Sequence, residues 1–538
     1  MGTAIILGII VRKIRIKKMI NNKISYQKIH QSKIFLILFA IIIGSVIIRM
    51  YYFSFEIPLT SDALVYFYYA SDIAVTGNLP NNYSPANPGW PMFVSGFFHL
   101  LNFETVNEFM QTQKILSIII SVITVVPIYF LCRKFLDQRF SLLGCVLFAF
   151  EPHLIQNSLL GITEPIYILL ITSAISMSLS SNKKVIFLSF VIVGLSTNIR
   201  AEGLFVFLAM ISILIIKLEN NKRKILALIF CILIFGIIIT PVAYYKYNVM
   251  ENDALLMRVS SSIDIFTDSD VSIENPNVGT SLENFPKYFG WALIPILIIF
   301  VPIGIIPIIK RKDKNTWIIF SVSILIILPM IYAYSIPLKD VRFVFYLFPI
   351  LIIISIFGIK FISEKFCNKK IIKILFIIFI IISSILFLEW KIEKSEIKKD
   401  IFKVSQITVL SSTGVNSFSP ESRFLDAAEI PKKWKDYKKY FDIEREDKKP
   451  IIHTVDKQVT IFQTNNYQSL EDFINASGLE LTHLVADDNP DRPEFMKNVY
   501  KNGENIEFLK KEFDSTDMNL KYNVKIFKIN YELFDRKN

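Results

Sequence analysis

The stretch Leu59–Pro80 reads LTSDALVYFYYASDIAVTGNLP and places an aspartate, Asp62, inside a run of aromatic and aliphatic residues. It begins a few residues after the first long apolar run of the chain, residues 34–53, which we predict to be a membrane span. Apolar residues recur in it at helical spacing, which predicts a short amphipathic helix lying at the membrane interface. The carboxylate therefore needs an explanation, either chemical or structural.

The composition is typical of a membrane protein. Of 538 residues, 52% are hydrophobic, and the mean hydropathy is +0.45. Several apolar runs approach the ~20 residues that cross a ~30 Å hydrocarbon core. We therefore predict a polytopic α-helical membrane protein with about eleven spans. The predicted spans are 34–53, 114–132, 140–158, 162–180, 185–199, 202–217, 225–246, 288–309, 316–336, 342–363 and 371–390.

The charges of the loops predict the orientation of these spans. The first 33 residues hold eight Lys or Arg and no acid, and the loops on that side hold 18 basic and 4 acidic residues. The two long loops of the other side, 54–113 and 247–287, hold 2 basic and 12 acidic residues. Because Lys and Arg resist translocation, residues 1–33 are predicted to be a cytosolic tail of a plasma-membrane protein. The net charge of +12 thus reflects topology and does not indicate nucleic-acid binding.

Residues 34–390 are predicted to form the transmembrane domain, and residues 391–538 a small extracytoplasmic α/β domain. Helices are expected at 434–441 and 469–476, and strands at 458–462, 481–487 and 522–529. Ser469 and Asp472 form a capping pair at the start of the second helix. All four cysteines lie in or beside apolar segments, so neither a disulfide framework nor a zinc site is expected.

Asp62 has two alternative interpretations. As a general base, it would take a proton from an attacking hydroxyl, between a lipid-soluble molecule and an aqueous acceptor. As a structural residue, Ser61 or Asp62 would only begin the helix of residues 62–75, because Asp is favoured at helix starts. The residue types alone leave both interpretations open.

Five short motifs together resemble the GT-C superfamily of membrane glycosyltransferases. They are Asp62 with Tyr66, Ala70 and Gly77; Asn87-Pro88-Gly89-Trp90-Pro91; Thr163-Glu164-Pro165; Arg200-Ala201-Glu202-Gly203; and Arg342-Phe343 with Pro349. The nearer branch, of glycosyltransferase family 39 type, contains the protein O-mannosyltransferases and the lipid A aminoarabinose transferase, which use polyprenyl-phosphate sugars. Ala63 replaces the Glu that follows this Asp in many protein mannosyltransferases, which weakens protein O-mannosylation as the reaction. The Trp-Trp-Asp-Tyr-Gly motif of oligosaccharyltransferases is not found, which disfavours N-glycan transfer.

The resemblance implies an inverting hexosyltransferase that acts at the outer membrane face. A hydroxyl of a protein, lipid or glycan would attack the anomeric carbon, Asp62 would accept its proton, and the polyprenyl monophosphate would leave. Because Arg and Lys bind phosphate oxygens well, four outer-face cations are candidates for the donor phosphate. They are Arg200, Arg342, Lys339 and Arg258.

Five of the candidate residues have a structural alternative. Arg200 and Arg342 would, in the alternative, extend their charges to the membrane interface. Secondary site candidates are Asp72, Glu164 and Glu202. In the alternative, Asp72 would lie on a solvated helix face, Glu164 would mark a helix start, and Glu202 would pair with Arg200.

Asp268 and Asp270 form an Asp-x-Asp pair that could bind a divalent metal. A monophosphate donor has little need of a metal, so no cofactor is favoured. His153 is expected to pack in the core or at the interface. Two other functions stay open: a polysaccharide polymerase or ligase of the cell envelope, and a transporter, which should carry charges at mid-membrane depth. The sequence names neither the sugar nor the acceptor.

Overall fold

The computed structural model describes residues 32–80, 84–85, 87–218, 221–250, 278–335, 340–365, 369–392, 395–418, 424–439 and 459–537. Four candidate site residues lie outside these ranges. They are Arg258, Asp268, Asp270 and Lys339.

Up to Ser411 the described chain is built from helices. These are α1 Ser32–Tyr52, α2 Asp62–Thr76, α3 Gly89–Leu100, α4 Val106–Ile123, α5 Val125–Arg133, α6 Gln138–Ala149, α7 Pro152–Ser158, α8 Glu164–Ser178, α9 Lys183–Ile199, α10 Gly203–Lys217, α11 Asn221–Met250, α12 Val278–Leu293, α13 Leu297–Arg311, α14 Lys314–Ser335, a 3₁₀ helix Val341–Leu347, α15 Phe348–Glu364, α16 Lys369–Lys391 and α17 Ser395–Ser411.

Six helical segments of the described chain are long and apolar enough to cross a membrane. They are Ser32–Tyr52, Val106–Arg133, Lys224–Val249, Lys314–Ile331, Val341–Glu364 and Ile371–Ser411. A seventh crossing results if α12 and α13, which meet at a bend of 101°, form one span. The predicted count of eleven is not confirmed, because α6, α8 and α10 have only 12 to 15 residues. At 1.5 Å per residue such helices cover about 18–23 Å, less than a hydrocarbon core.

One predicted span is interrupted for a reason that its sequence contains. Residues 140–158 divide between α6 and α7, because Pro152 at the first position of α7 has no amide hydrogen to continue α6. Glu151 accepts a hydrogen bond from the Leu154 amide at 2.8 Å and so caps α7. The short helix α7 is therefore a separate element with its own N-cap.

The helix that begins at Asp62 is enclosed by its neighbours. Of its 15 residues nine are buried, including Phe67 and Tyr69. Phe67 packs edge-on against Phe98 of α3 at 5.6 Å between ring centroids. The predicted helix is confirmed, but it packs into the protein on more sides than an amphipathic helix at an interface would.

Residues beyond the helical part contain a five-stranded sheet. The remaining elements are β1 Gly414–Asn416, α18 Phe424–Ala428, α19 Trp434–Lys438, β2 Thr460–Phe462, α20 Leu470–Ser477, β3 His483–Asp487, α21 Glu494–Asn502, β4 Leu509–Asp514, β5 Val524–Ile529 and α22 Tyr531–Lys537. The strand order is β2-β1-β3-β5-β4, with β1 parallel to β2 and β3, and β5 antiparallel to β3 and β4. The three predicted strands are confirmed as β2, β3 and β5, and β1 and β4 are additional.

The predicted helices of this region are confirmed as α19 and α20. Ser469 accepts a hydrogen bond from the Asp472 amide at 3.0 Å, so the predicted cap of α20 is also confirmed. The sheet is packed by side chains such as Phe473, Leu484 and Phe527, which are all fully buried.

The C-terminal region docks on the start of α4. The Val106 amide donates to the Lys432 carbonyl at 3.0 Å, and the Trp434 amide donates to the Glu104 carbonyl at 2.8 Å. The Trp434 ring stacks on Phe109 with 4.1 Å between centroids. These contacts place α19 against the same aromatic cluster that packs α2.

Candidate active site

Asp62 is the first residue of α2. Ser61 occupies the N-cap position and makes no side-chain capping hydrogen bond to the helix. Asp62 Oδ2 instead accepts a hydrogen bond from Arg342 Nη2 at 3.0 Å, and 54% of the Asp62 side chain is exposed. The carboxylate thus makes its contact with a residue that is distant in sequence.

The backbone just before this carboxylate is strained. Ser61 has φ 53° and ψ −133°, and a non-glycine residue adopts a positive φ at a cost of about 1–3 kcal/mol. Such conformations persist where the surrounding structure requires them, and they cluster at functional sites. Here the strained residue directs the chain into α2 so that the Asp62 side chain faces Arg342.

Arg342 lies in the first turn of the 3₁₀ helix. Asp340 precedes that helix, and its Oδ1 accepts a hydrogen bond from the Arg342 amide at 2.9 Å. Asp340 Oδ2 accepts a second bond from Arg342 Nε. Asp340 therefore both caps the helix and fixes the direction of the Arg342 guanidinium. The Arg342 side chain lies beside Asp62 and is 28% exposed.

Behind Arg342 lies a buried ion network. Glu164 Oε1 is 4.0 Å from Arg342 Nη1 and 2.8 Å from Arg200 Nη1. Arg200 Nη2 is 3.0 Å from Glu202 Oε1, and Thr163 Oγ1 accepts a hydrogen bond from Arg200 Nη1 at 3.0 Å. Charges of opposite sign thus alternate from Asp62 at the surface to Glu202 in the interior.

The network brings together five of the sequence-predicted site residues. They are Asp62, Arg342, Glu164, Arg200 and Glu202. The alternative in which the Arg200 charge extends to the membrane interface is wrong, because that residue is only 7% exposed and its guanidinium lies over the Tyr346 ring at 4.9 Å.

Asp72 is the one described candidate outside this network. The solvated helix face considered for it is wrong, because the residue is 3% exposed. Asp72 lies in the second half of α2, where Tyr69 and Tyr245 share a hydrogen bond of 2.8 Å between their hydroxyls.

Other motif residues hold α2 and α3 against their neighbours. Asn87 Nδ2 donates to the Tyr66 hydroxyl at 3.4 Å, and burial raises the pKa of Tyr66. Trp90 Nε1 donates to the Gly161 carbonyl at 3.0 Å. A side chain at Gly89 would come within 2.6 Å of a carbonyl of α9, so only glycine lets α3 pack this closely.

Asp62 and Arg342 line a cavity of about 310 Å³, which we call the Asp62 cavity. Three polar residues of α7, at positions i, i+3 and i+4, line its opposite wall: His153, Gln156 and Asn157. Gln156 and Asn157 were not predicted from the sequence, although this spacing in an otherwise apolar segment indicates one polar helix face. His153 also packs as expected, with Nε2 2.9 Å from the Ile294 carbonyl oxygen and its ring 5.0 Å from Phe387.

The described residues contain no group of three or more His, Cys, Asp or Glu side chains arranged to hold a metal ion. The site chemistry there is that of a carboxylate, a guanidinium and neutral polar groups. This set suits proton transfer beside a bound anion.

Comparison with known proteins gives one family match and several matches in fold. The profile of the dolichyl-phosphate-mannose-protein mannosyltransferase family matches residues 88–245. No curated protein matches the chain in sequence.

Two similar solved structures come from Archaeoglobus fulgidus. Its oligosaccharyltransferase in the apo form superposes with a TM-score of 0.53 at 10% identity, over 84% of this chain and 69% of that one. The oligosaccharyltransferase AglB in complex with an inhibitory peptide and a dolichol-phosphate superposes with a TM-score of 0.51 at 11% identity, over 84% of this chain and 69% of that one. ArnT from Cupriavidus metallidurans, bound to undecaprenyl phosphate, superposes with a TM-score of 0.47 at 9% identity, over 92% of this chain and 97% of that one.

Proposed function

We propose that this chain, a membrane glycosyltransferase of the GT-C superfamily, moves a sugar from a polyprenyl-phosphate donor to a hydroxyl acceptor at the outer membrane face. The observation that carries the proposal is the 3.0 Å contact between Asp62 and Arg342 at the Asp62 cavity. A carboxylate that can accept a proton and a guanidinium that can bind a phosphate lie there side by side, and this pair of groups would serve such a transfer.

The reaction follows from these two groups. Asp62 takes the proton of the acceptor hydroxyl while its oxygen attacks the anomeric carbon. The bond between the anomeric carbon and the donor phosphate oxygen breaks, and its electron pair leaves with the polyprenyl monophosphate. Arg342 stabilises the charge that grows on that phosphate. A single displacement of this kind inverts the anomeric configuration.

Arg200 has a positioning role in this proposal. Its guanidinium is buried between Glu164 and Glu202, so the donor phosphate would have to displace a carboxylate to reach it. By holding Glu164, it fixes the carboxylate that faces Arg342. Lys339 and Arg258 remain further candidates for the donor phosphate on sequence grounds.

Arg342→Lys is expected to lower kcat/KM about 10- to 100-fold. Lysine keeps the charge but loses the fork that bonds Asp62, Asp340 and a phosphate together, and a charge-assisted hydrogen bond contributes about 1.5–3 kcal/mol. Steady-state transfer by the purified enzyme measures the effect. Arg311→Lys is the matched control, because Arg311 pairs with Asp313 at a distance of 3.0 Å and does not line the Asp62 cavity. Near-normal turnover of Arg342→Lys would remove Arg342 as the phosphate ligand.

The donor class is tested with the purified protein in lipid. A panel of polyprenyl-phosphate sugars is offered together with hydroxyl acceptors, and the products are identified by mass spectrometry. Transfer of one sugar from at least one donor supports the proposal. Growth of a long glycan chain instead would favour the polymerase alternative, and movement of an intact substrate across the bilayer would favour a transporter.

We also propose that residues 391–538 lie outside the plasma membrane and that the N-terminus is cytosolic. The excess of Lys and Arg in the predicted inner loops supports this orientation. A reporter active only in the cytosol, fused after Asn538, is expected to be inactive. A periplasmic or extracellular reporter at the same place should be active, and the opposite pair of results would reverse the orientation.

A further inference from the structure

A second cavity adjoins the Asp62 cavity. Its volume is about 490 Å³, and the two cavities share five lining residues: Thr60, Ser61, Gln156, Leu160 and Lys391. One side of the second cavity is formed by the ends of apolar helices and the segment before Asp62. The other side includes Lys398 of α17 and Phe424 of α18, which follow the last long apolar helix.

Three lysines line this second cavity, which we call the lysine pocket: Lys114, Lys391 and Lys398. No Asp or Glu occurs among its described lining residues. The Asp62 cavity differs, because Asp62 and Asp340 there face Arg342. Both signs of charge therefore occur in the lining of the Asp62 cavity, whereas the charged residues that line the lysine pocket are all cationic.

Each lysine is placed by its surroundings. The Lys114 side chain is buried, and its Nζ donates to the carbonyls of Ser54 at 3.1 Å and Ile57 at 2.9 Å. Lys391 lies over the Trp291 ring at 5.4 Å. Lys398 of α17 is half-buried and lines the same cavity. Ammonium groups that line a cavity are suited to bind the oxygens of a phosphate or a carboxylate.

We infer that the lysine pocket binds an anionic group of the acceptor, a phosphate or a carboxylate, and so directs the acceptor hydroxyl to Asp62. The inference rests on the proposed function and adds the charge class of the acceptor. The donor phosphate has the same chemistry, but in the proposal Arg342 binds it in the adjoining cavity. The position of the lysine pocket also favours the acceptor, because part of its wall comes from residues beyond the last long apolar helix.

The test measures anion binding by the full-length protein in phosphatidylcholine nanodiscs, in a phosphate-free buffer of low ionic strength. Farnesyl phosphate is the probe of the donor site. Inorganic phosphate, titrated in the presence of saturating farnesyl phosphate, is the probe of the lysine pocket. Isothermal titration calorimetry reports both affinities without any need for turnover, so the result is independent of the sugar-transfer assay.

Lys398→Gln is expected to lower the affinity for inorganic phosphate about tenfold or more and to leave that for farnesyl phosphate unchanged. Lys398→Arg keeps the charge and should bind phosphate normally. Lys399→Gln is the matched control, because Lys399 is the next residue of α17, pairs with Glu56 at 3.0 Å and does not line the pocket. Melting temperatures of all variants verify folding, and Lys391→Gln repeats the test from the shared wall.

Three outcomes would overturn the inference. Unchanged phosphate affinity in Lys398→Gln and Lys391→Gln would show that the lysine pocket holds no anion. A loss of farnesyl phosphate affinity in Lys398→Gln, whose side chain lines only the lysine pocket, would make the pocket the donor site. An equal loss in Lys399→Gln would attribute the effect to overall charge.

Discussion

Asp62→Asn is expected to lower the rate of sugar transfer about 10²–10⁴-fold while the melting temperature stays unchanged. Asparagine keeps the shape of the side chain and still accepts the hydrogen bond from Arg342, but it takes no proton at neutral pH. Transfer and thermal unfolding are measured on the same preparation. A dead enzyme with normal stability is the signature of a missing general base.

A second aspartate at a helix start provides the control. Asp137 precedes α6, and its carboxylate accepts hydrogen bonds from the amides of Arg139 at 3.0 Å and Phe140 at 3.1 Å. Because Asn caps a helix about as well as Asp, Asp137→Asn should preserve both activity and stability. If Asp62→Asn also retained near-normal turnover, Asp62 would be a structural residue and the base would have to be sought elsewhere in the cavity.

Glu164→Ala is expected to destabilise the protein by about 3–5 kcal/mol, the usual cost of removing one partner of a buried ion pair. Glu164 is 1% exposed and faces both Arg200 and Arg342, so its loss leaves two guanidinium groups with too few carboxylates. Thermal or denaturant unfolding in detergent measures the change. Activity should fall as well, because Arg342 loses one of the charges that position it.

The control for this substitution is an exposed pair. Glu494 contacts Lys497 at 2.8 Å, but 89% of the Glu494 side chain is exposed. Glu494→Ala should leave the melting temperature unchanged, because water and salt screen such pairs. A Glu164→Ala protein as stable as this control would mean that the network of Arg200 contributes little to the fold.

The sequence was informative where short motifs carry the chemistry. The predicted resemblance to the protein mannosyltransferases is confirmed over residues 88–245 by the family profile, and the fold is similar to that of an oligosaccharyltransferase. The structure also brings Asp62, Arg200 and Arg342 into one network.

Other features depend on packing that no local pattern contains. Apolar runs fix where helices form but not how they break, so the division at Glu151 and Pro152 and the number of spans were missed. The burial of Asp72 depends on helices distant in sequence. Strand β4, with three charged residues in succession at 510–512, lies at the sheet edge, where hydrophobic alternation is weak.

The stacking of Trp434 on Phe109 has a consequence for biogenesis. Phe67 of α2 also contacts Tyr437 of α19, so the helix that begins at Asp62 completes its packing only when a much later part of the chain arrives. During synthesis the apolar helices can insert one after another, yet this aromatic cluster stays open until the C-terminal region has been delivered to the same side. The packing around α2 is thus completed late in the maturation of the protein, and a nascent chain that stalls before Trp434 is expected to lack it.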